Sequence, residues 1–227
     1  MAESVRIIGI NTISGNQYKK LKVLGNCCIT NNVTIGKLTV LGALEGEQTV
    51  DVQKLWVYGE TEFKNKVTAH KVKITGTASF NKSLKSNKIV VNGTLSVKEK
   101  VEAEVFKSKG AFNILTLNAG VIEIIPEGTC EVKEMGAENV TVLRKSNEDY
   151  WHVMNLVFPL YRKVKVMDDM LTADLIEADN IYIENTIASI VRGKNVHIGP
   201  GCRVEQVEYI NSYREDKNAV VQKNFQI

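Results

Sequence analysis

KLTVLG at 37–42, KLWVYG at 54–59, KVKITG at 71–76 and KIVVNG at 88–93 are four copies of one phrase, each starting 17 residues after the last. The phrase ends on glycine, and the glycine carries the period in both directions. Gly25, Gly42, Gly59, Gly76, Gly93 and Gly110 keep the 17-residue spacing, with Gly9 one residue out of register. Self-similarity at a fixed period is the mark of stacked supersecondary units.

The apolar residues hold fixed offsets from these glycines. Four positions before them stand Leu21, Leu38, Leu55, Val72, Ile89 and Phe106; two before stand Val23, Val40, Val57, Ile74, Val91 and Ser108. Four after come Ile29, Gly46, Phe63, Phe80, Val97 and Ile114; eight after come Val33, Val50, Val67, Leu84, Val101 and Asn118. Pairs spaced by two follow the strand period, not the helical one, and most of the residues are β-branched or aromatic. Three such short strands cannot bury their inward residues alone, but stacking places each on its counterpart in the next unit and closes one core. The predicted fold is therefore all-β: a single-stranded parallel β-helix with coils of about 17 residues, rising about 4.8 Å each. The glycines are expected to turn the corners in a positive-φ conformation, which glycine adopts without strain.

The register loosens after Gly120, yet Ile124, Cys130, Val132, Val140 and Val142 still alternate, so an N-terminal solenoid section is expected over 1–145. SNEDYWHVMNLVFPLYRK at 146–163 breaks the pattern. Trp151, Met154, Val157 and Phe158 would share one face of a short helix ended by Pro159, so 146–165 reads as an insertion, either a lid on the solenoid or a dock for a partner or membrane. Alternating strands resume, giving a C-terminal section over 166–210 with Ile181, Ile183, Ile187, Val196, Ile198, Cys202 and Val204 facing inward. Residues 211–227 read as a polar tail, either frayed or forming a terminal cap.

Hydrophobic residues at 44% and charged residues at 24% exclude intrinsic disorder. No run of about 20 apolar residues spans a bilayer and no signal-peptide pattern opens the sequence, so a cytoplasmic protein is expected. Cys27, Cys28, Cys130 and Cys202 lack metal or redox spacing, and His70, His152 and His197 are scattered, so neither metal nor cofactor is expected. Net charge is +3, but unevenly spread: residues 16–115 hold 16 Lys, no Arg and 8 acids, while 166–191 hold six acids and no base. Lys20, Lys37, Lys54, Lys71 and Lys88 each precede a repeat glycine by five and should form a column. It reads as a solvated ladder that discourages sideways aggregation, or as a contact for an anionic surface. Without arginine in this half, nucleic acid is not an expected partner.

The terminal coils of a solenoid leave strand edges and core residues unpaired. The candidate assembly ends are the coil of Val5, Ile7 and Ile13 and the coil of Val204 and Val207, and a second copy of the protein is the expected partner. A passive binding module that never polymerises is the alternative. An enzyme of the hexapeptide acyltransferase or carbohydrate-cleaving type is a further one. Against it, the offsets run six, six and five, and Asp168 and Asp169 are adjacent, so in a strand they would face opposite ways.

The Lys-apolar-x-apolar-x-Gly phrase, together with VRGKNVHIGPGCRVEQVEY at 191–209, resembles the bactofilins, polymer-forming bacterial cytoskeletal proteins, and in particular their Firmicute branch. The resemblance implies a right-handed triangular β-helix that polymerises end to end without nucleotide, often beneath the membrane, and organises other proteins there. The sequence differs from typical members in its insertion and second section, and in showing no short apolar membrane-targeting tail.

Overall fold

The computed structural model describes residues 3–144 and 169–227, and these are built of strands joined by tight corners. The first part alternates long and short strands: β1 (Glu3–Ile7), β2 (Ile10–Ile13), β3 (Gln17–Val23), β4 (Asn26–Ile29), β5 (Val33–Val40), β6 (Ala43–Gly46), β7 (Val50–Val57), β8 (Glu60–Phe63), β9 (Val67–Ile74), β10 (Thr77–Phe80) and β11 (Leu84–Val91). Longer strands that round a corner follow: β12 (Thr94–Ser108), β13 (Ala111–Ile124), β14 (Cys130–Val142), β15 (Leu171–Ile183), β16 (Thr186–Ile198) and β17 (Arg203–Glu215), and β18 (Val220–Gln226) ends the series. All pairings between strands are parallel and link one coil to the next, which makes the chain a parallel β-solenoid of about twelve turns.

The register is the sequence period made physical. Val33 faces Val50, Val50 faces Val67 and Val67 faces Leu84, while Leu38, Leu55, Val72 and Ile89 form a second inward column. Each coil thus contributes three inward pairs, and all these side chains are buried in one continuous core. Stacking like on like also aligns aromatic rings: Phe63 and Phe80 lie parallel with centroids 5.1 Å apart.

The repeat glycines have a different cause from the expected one. Among the described glycines only Gly9, Gly128 and Gly201 have positive φ, at 82°, 80° and 77°. Gly25, Gly42, Gly59, Gly76, Gly93 and Gly110 turn their corners in ordinary conformations. What they cannot bear is a side chain. A Cβ on Gly59 would run into the carbonyl oxygens of Gly42 and Leu41 and sit 2.7 Å from the Leu41 carbonyl carbon. The corners stack backbone on backbone, and the glycine is required because the coil beneath occupies the place of its side chain.

Coil length drifts where the glycine markers stop. Lys100 faces Thr116, so one corner loses a residue; Leu117, not Asn118, fills the inward column and Asn118 is exposed. Leu171 faces Thr186, a 15-residue step, so Thr186 and Ala188 point inward and Ile187 is 38% exposed, contrary to its expected inward place. β14 pairs in register with β15 across the insertion, Cys130 against Leu171 and Val142 against Ile183, so the two expected sections form one uninterrupted stack. Trp151, Met154, Val157 and Phe158 lie outside the described residues. Of the two readings of the polar tail the cap is the one found: 211–215 complete β17, and β18 forms a last coil over it, with Val204 facing Val221 and Val207 facing Asn224. Val204 and Val207 are therefore covered core residues, not the end of the rod.

One core position is chemically out of place. Thr61 occupies the inward column between Leu44 and Ala78, is 2% exposed, and its hydroxyl has no hydrogen-bond partner. An unsatisfied buried hydroxyl costs about 1–3 kcal/mol. Thr61→Val, which keeps the shape, is expected to raise stability by about 1 kcal/mol and shift the urea midpoint upward with an unchanged slope. A midpoint that stays put or falls would show that the hydroxyl is satisfied.

Candidate functional site

The outward side of β1, β3, β5, β7, β9 and β11 carries two columns. In the first, Lys20 faces Lys37, Lys37 faces Lys54, Lys54 faces Lys71 and Lys71 faces Lys88, so the expected lysine ladder is present. In the second, Arg6, Lys22, Thr39, Trp56, Lys73 and Val90 follow one another. Over these six coils the two columns contain cations and no acid. Among the described residues none of these cations makes an ion pair; the one specific contact is Lys37 Nζ, 3.6 Å above the centre of the Trp56 ring. Like charges set directly opposite on a sheet repel, so this arrangement is tolerated, not stabilising.

The same column changes character further along. After Lys88 come Val105 and Val121, then Asn139, Asn180 and Asn195, then Ser212. Here the side chains satisfy one another: Asn180 Nδ2 donates to Asn139 Oδ1 at 3.0 Å, Asn195 Nδ2 to Asn180 Oδ1 at 2.9 Å, and Ser212 Oγ to Asn195 Oδ1 at 3.0 Å. The fold therefore offers a neutral, hydrogen-bonded solution for this position, and the N-terminal coils do not use it.

The acid-rich stretch read from the sequence is largely neutralised locally. Arg192 reaches Glu208 at 2.5 Å and Glu177 at 3.4 Å, and Lys194 reaches Asp179 at 2.9 Å. Glu184 accepts from the Tyr182 hydroxyl at 2.6 Å and from the Arg144 amide at 2.9 Å. That hydrogen bond to a carboxylate, with burial, pushes the Tyr182 hydroxyl up to about 12. Asp169 accepts from the Gly128 amide at 2.9 Å, and Asp168 lies outside the described residues. Elsewhere Lys64 pairs with Glu45, and Lys100 with Glu102 at 2.6 Å, whereas Lys66 and Lys98 are exposed.

The two ends differ. β1 pairs with β3 alone and β2 with β4 alone among the described residues, leaving their outer edges open. Ile7 and Ile13 are buried and Val5 half-buried, while Ile8 is 74% and Ile10 90% exposed. At the other end β18 pairs with β17 alone among the described residues, and the inward columns close on a mixture. Ile198 is followed by Glu215, Val207 by Asn224 and Tyr209 by Gln226, but Val204 by Val221 and Val196 by Tyr213, with Phe225 47% and Ile227 64% exposed. The Tyr209 and Tyr213 rings stack there at 5.3 Å.

The remaining nucleophiles and bases are dispersed. Burial pushes the Cys27, Cys130 and Cys202 thiols up to about 11, which removes thiolate character at neutral pH. Cys28 is half-buried. His70 contacts Asn87 at 3.2 Å on one corner, and His197 meets the Tyr182 ring edge-on at 4.9 Å many coils away. Among the described residues no group of three His, Cys, Asp or Glu is placed to hold a metal ion.

Two relatives share part of this sequence. Over 94 residues it is 38% identical to the uncharacterized protein YhbF of Bacillus subtilis (strain 168), covering 41% of this chain and 34% of that protein. Over 53 residues it is 51% identical to the uncharacterized protein YhbE of the same organism, covering 23% of this chain and 22% of that protein. The match thus spans about a third and about a fifth of the two relatives. No family model matches the chain, and no solved structure matches it.

Proposed function

We propose that the protein is a non-enzymatic, bactofilin-like structural scaffold that associates with copies of itself through the end of its solenoid, and that the coil formed by β1 and β2 is the adhesive end. The observation that carries this reading is the pairing of open strand edges with the exposed Ile8 and Ile10 on the same coil. Unpaired amides and carbonyls on an apolar edge are a template for another chain. The far end argues by contrast. A core whose last inward positions include Glu215, Asn224 and Gln226 beside Val221 gains less by burying itself against a second copy.

Two copies joined through the same end form an isologous contact, which closes on itself as a dimer; filaments require the second end as well. Sedimentation across the micromolar range is expected to show a reversible monomer–dimer equilibrium, with the dimer as a rod of doubled length by electron microscopy. Ile8→Asp with Ile10→Asp is expected to leave folded monomers. A wild-type protein that stays monomeric throughout would favour the non-polymerising binding module. Filaments that survive the double substitution would move the adhesive surface to the other end.

A further inference from the structure

We propose that the face bearing the Lys20-to-Lys88 column lies flat on an anionic lipid bilayer, with the corner row beside it entering the headgroup layer. This goes beyond self-association and stands or falls separately from it.

Three observations converge on a planar, negatively charged partner. First, the charge on this face is unspent. The cations of the two columns have no acidic partners among the described residues, whereas the cations around Glu177, Asp179 and Glu208 are paired. Protection of a sheet edge does not account for the ladder, because every strand that bears it already has a neighbour on both sides. Second, the face is flat. Its two columns rise by one strand spacing per coil, about 4.8 Å. The grooves around Thr61 and around Ser86 are lined by residues of other faces, and the groove that does lie on this face runs along Asn139, Asn180 and Asn195, beyond the cationic coils. Lysine supplies compact charges without the forked geometry that reads an individual phosphate, so the face senses charge density and not ligand shape.

Third, the edge of this face is apolar in the same coils. The residue that follows β1, β3, β5 and β7 is Ile8, Leu24, Leu41 and Tyr58 in turn. Ile8 is 74%, Leu41 45% and Tyr58 47% exposed. Further along, the same place is taken by Thr75, Asn92 and Lys109, so the apolar row ends within the cationic stretch. A flat basic surface bordered by exposed aliphatic and tyrosine side chains has the two components of interfacial binding, electrostatic attraction and shallow apolar insertion. Another copy of the chain is the poorer occupant, since in its acid-rich stretch Asp169, Glu177, Asp179 and Glu184 are engaged locally. A linear polyanion would use the charge but leave the apolar row idle.

The test uses the full chain and vesicles of phosphatidylglycerol or of phosphatidylcholine in a flotation assay. The wild type is expected to float with the anionic vesicles, to stay behind with the neutral ones, and to be released as salt shortens the screening length. Lys37→Asn, Lys54→Asn and Lys71→Asn together place in these coils the residue that Asn139, Asn180 and Asn195 show the column accepts, so the fold is expected to survive; vesicle affinity is expected to fall by about 100-fold. Lys66→Asn, Lys98→Asn and Lys133→Asn remove the same charge from exposed positions on other faces and are expected to change it by no more than a few-fold. Tyr58→Asp and Leu41→Asp are expected to reduce binding while leaving its salt dependence in place. Equal losses from the two lysine triples, equal binding to both vesicle types, or binding to a linear polyanion such as duplex DNA in preference to vesicles would each overturn the proposal.

Discussion

Replacing Gly59 with alanine is expected to destabilise the protein by about 3 kcal/mol, well above what a surface corner normally feels. The new Cβ would overlap the Gly42 and Leu41 carbonyl oxygens of the preceding coil, and backbone on both sides leaves nothing flexible to yield. Gly9→Ala provides the internal comparison. Gly9 has a positive φ of 82° but nothing within 4 Å of the position its Cβ would take. Its substitution adds only left-handed strain, about 1 kcal/mol. If the corner glycines served for their backbone freedom, the ranking would reverse, with Gly9→Ala the worse and Gly59→Ala nearly silent. Urea unfolding followed by circular dichroism separates the two cases. The loss at Gly59 should also propagate, since each coil is held by its neighbours and a forced gap between two of them weakens the stack on either side.

The same distinction explains what the amino-acid sequence tells a reader and what it hides. The inward columns of Val33, Leu38 and their equivalents were legible because a strict 17-residue period writes the register directly, residue over residue. The reason for the glycines was not. Positive φ is a property of one residue, whereas a carbonyl lying in the path of a side chain belongs to two coils at once. Asn118 and Ile187 were misplaced because corners lose residues there after the glycine markers end, and one residue of slip exchanges the inward and outward faces. The final coil was invisible for a related reason: Asn224 and Gln226 occupy inward columns without the apolar signature that reveals a strand.

The surface was read to the same depth. The lysine column follows from the period alone. Its lack of acidic partners depends on where acids from other columns fall, and the row of Ile8, Leu41 and Tyr58 beside it surfaces only when the corners are seen to stack. The sequence also suggested a sticky coil at Val204 and Val207. The structure instead covers both with β18, because the chain continues one winding further in polar residues.

A second pair of substitutions should show non-additivity large enough to change sign. Gly46 stands in an inward column between Ile29 and Phe63, where every other coil places a side chain. The room it leaves is filled by the Phe63 ring. A Cβ on Gly46 would lie 2.6 Å from Phe63 Cδ1 and 3.2 Å from Cε1, and the ring is itself pinned against Phe80. Gly46→Ala alone therefore overpacks the core and is expected to destabilise by about 1–3 kcal/mol. Phe63→Ala alone opens a void shared by two coils, with an expected loss of about 3–5 kcal/mol, towards the upper end because the coil before it offers no side chain to collapse inward. In the Phe63→Ala background the obstacle is gone. Gly46→Ala then adds a methyl to an empty space and restricts the unfolded chain, so it should stabilise by about 0.5–1 kcal/mol. Urea titrations of the two single variants and the double variant give the coupling directly. A Gly46→Ala penalty that is the same whether residue 63 is phenylalanine or alanine would mean that the glycine is held by the backbone of the neighbouring coils and not by the ring, and this core position would then follow the rule of the corners.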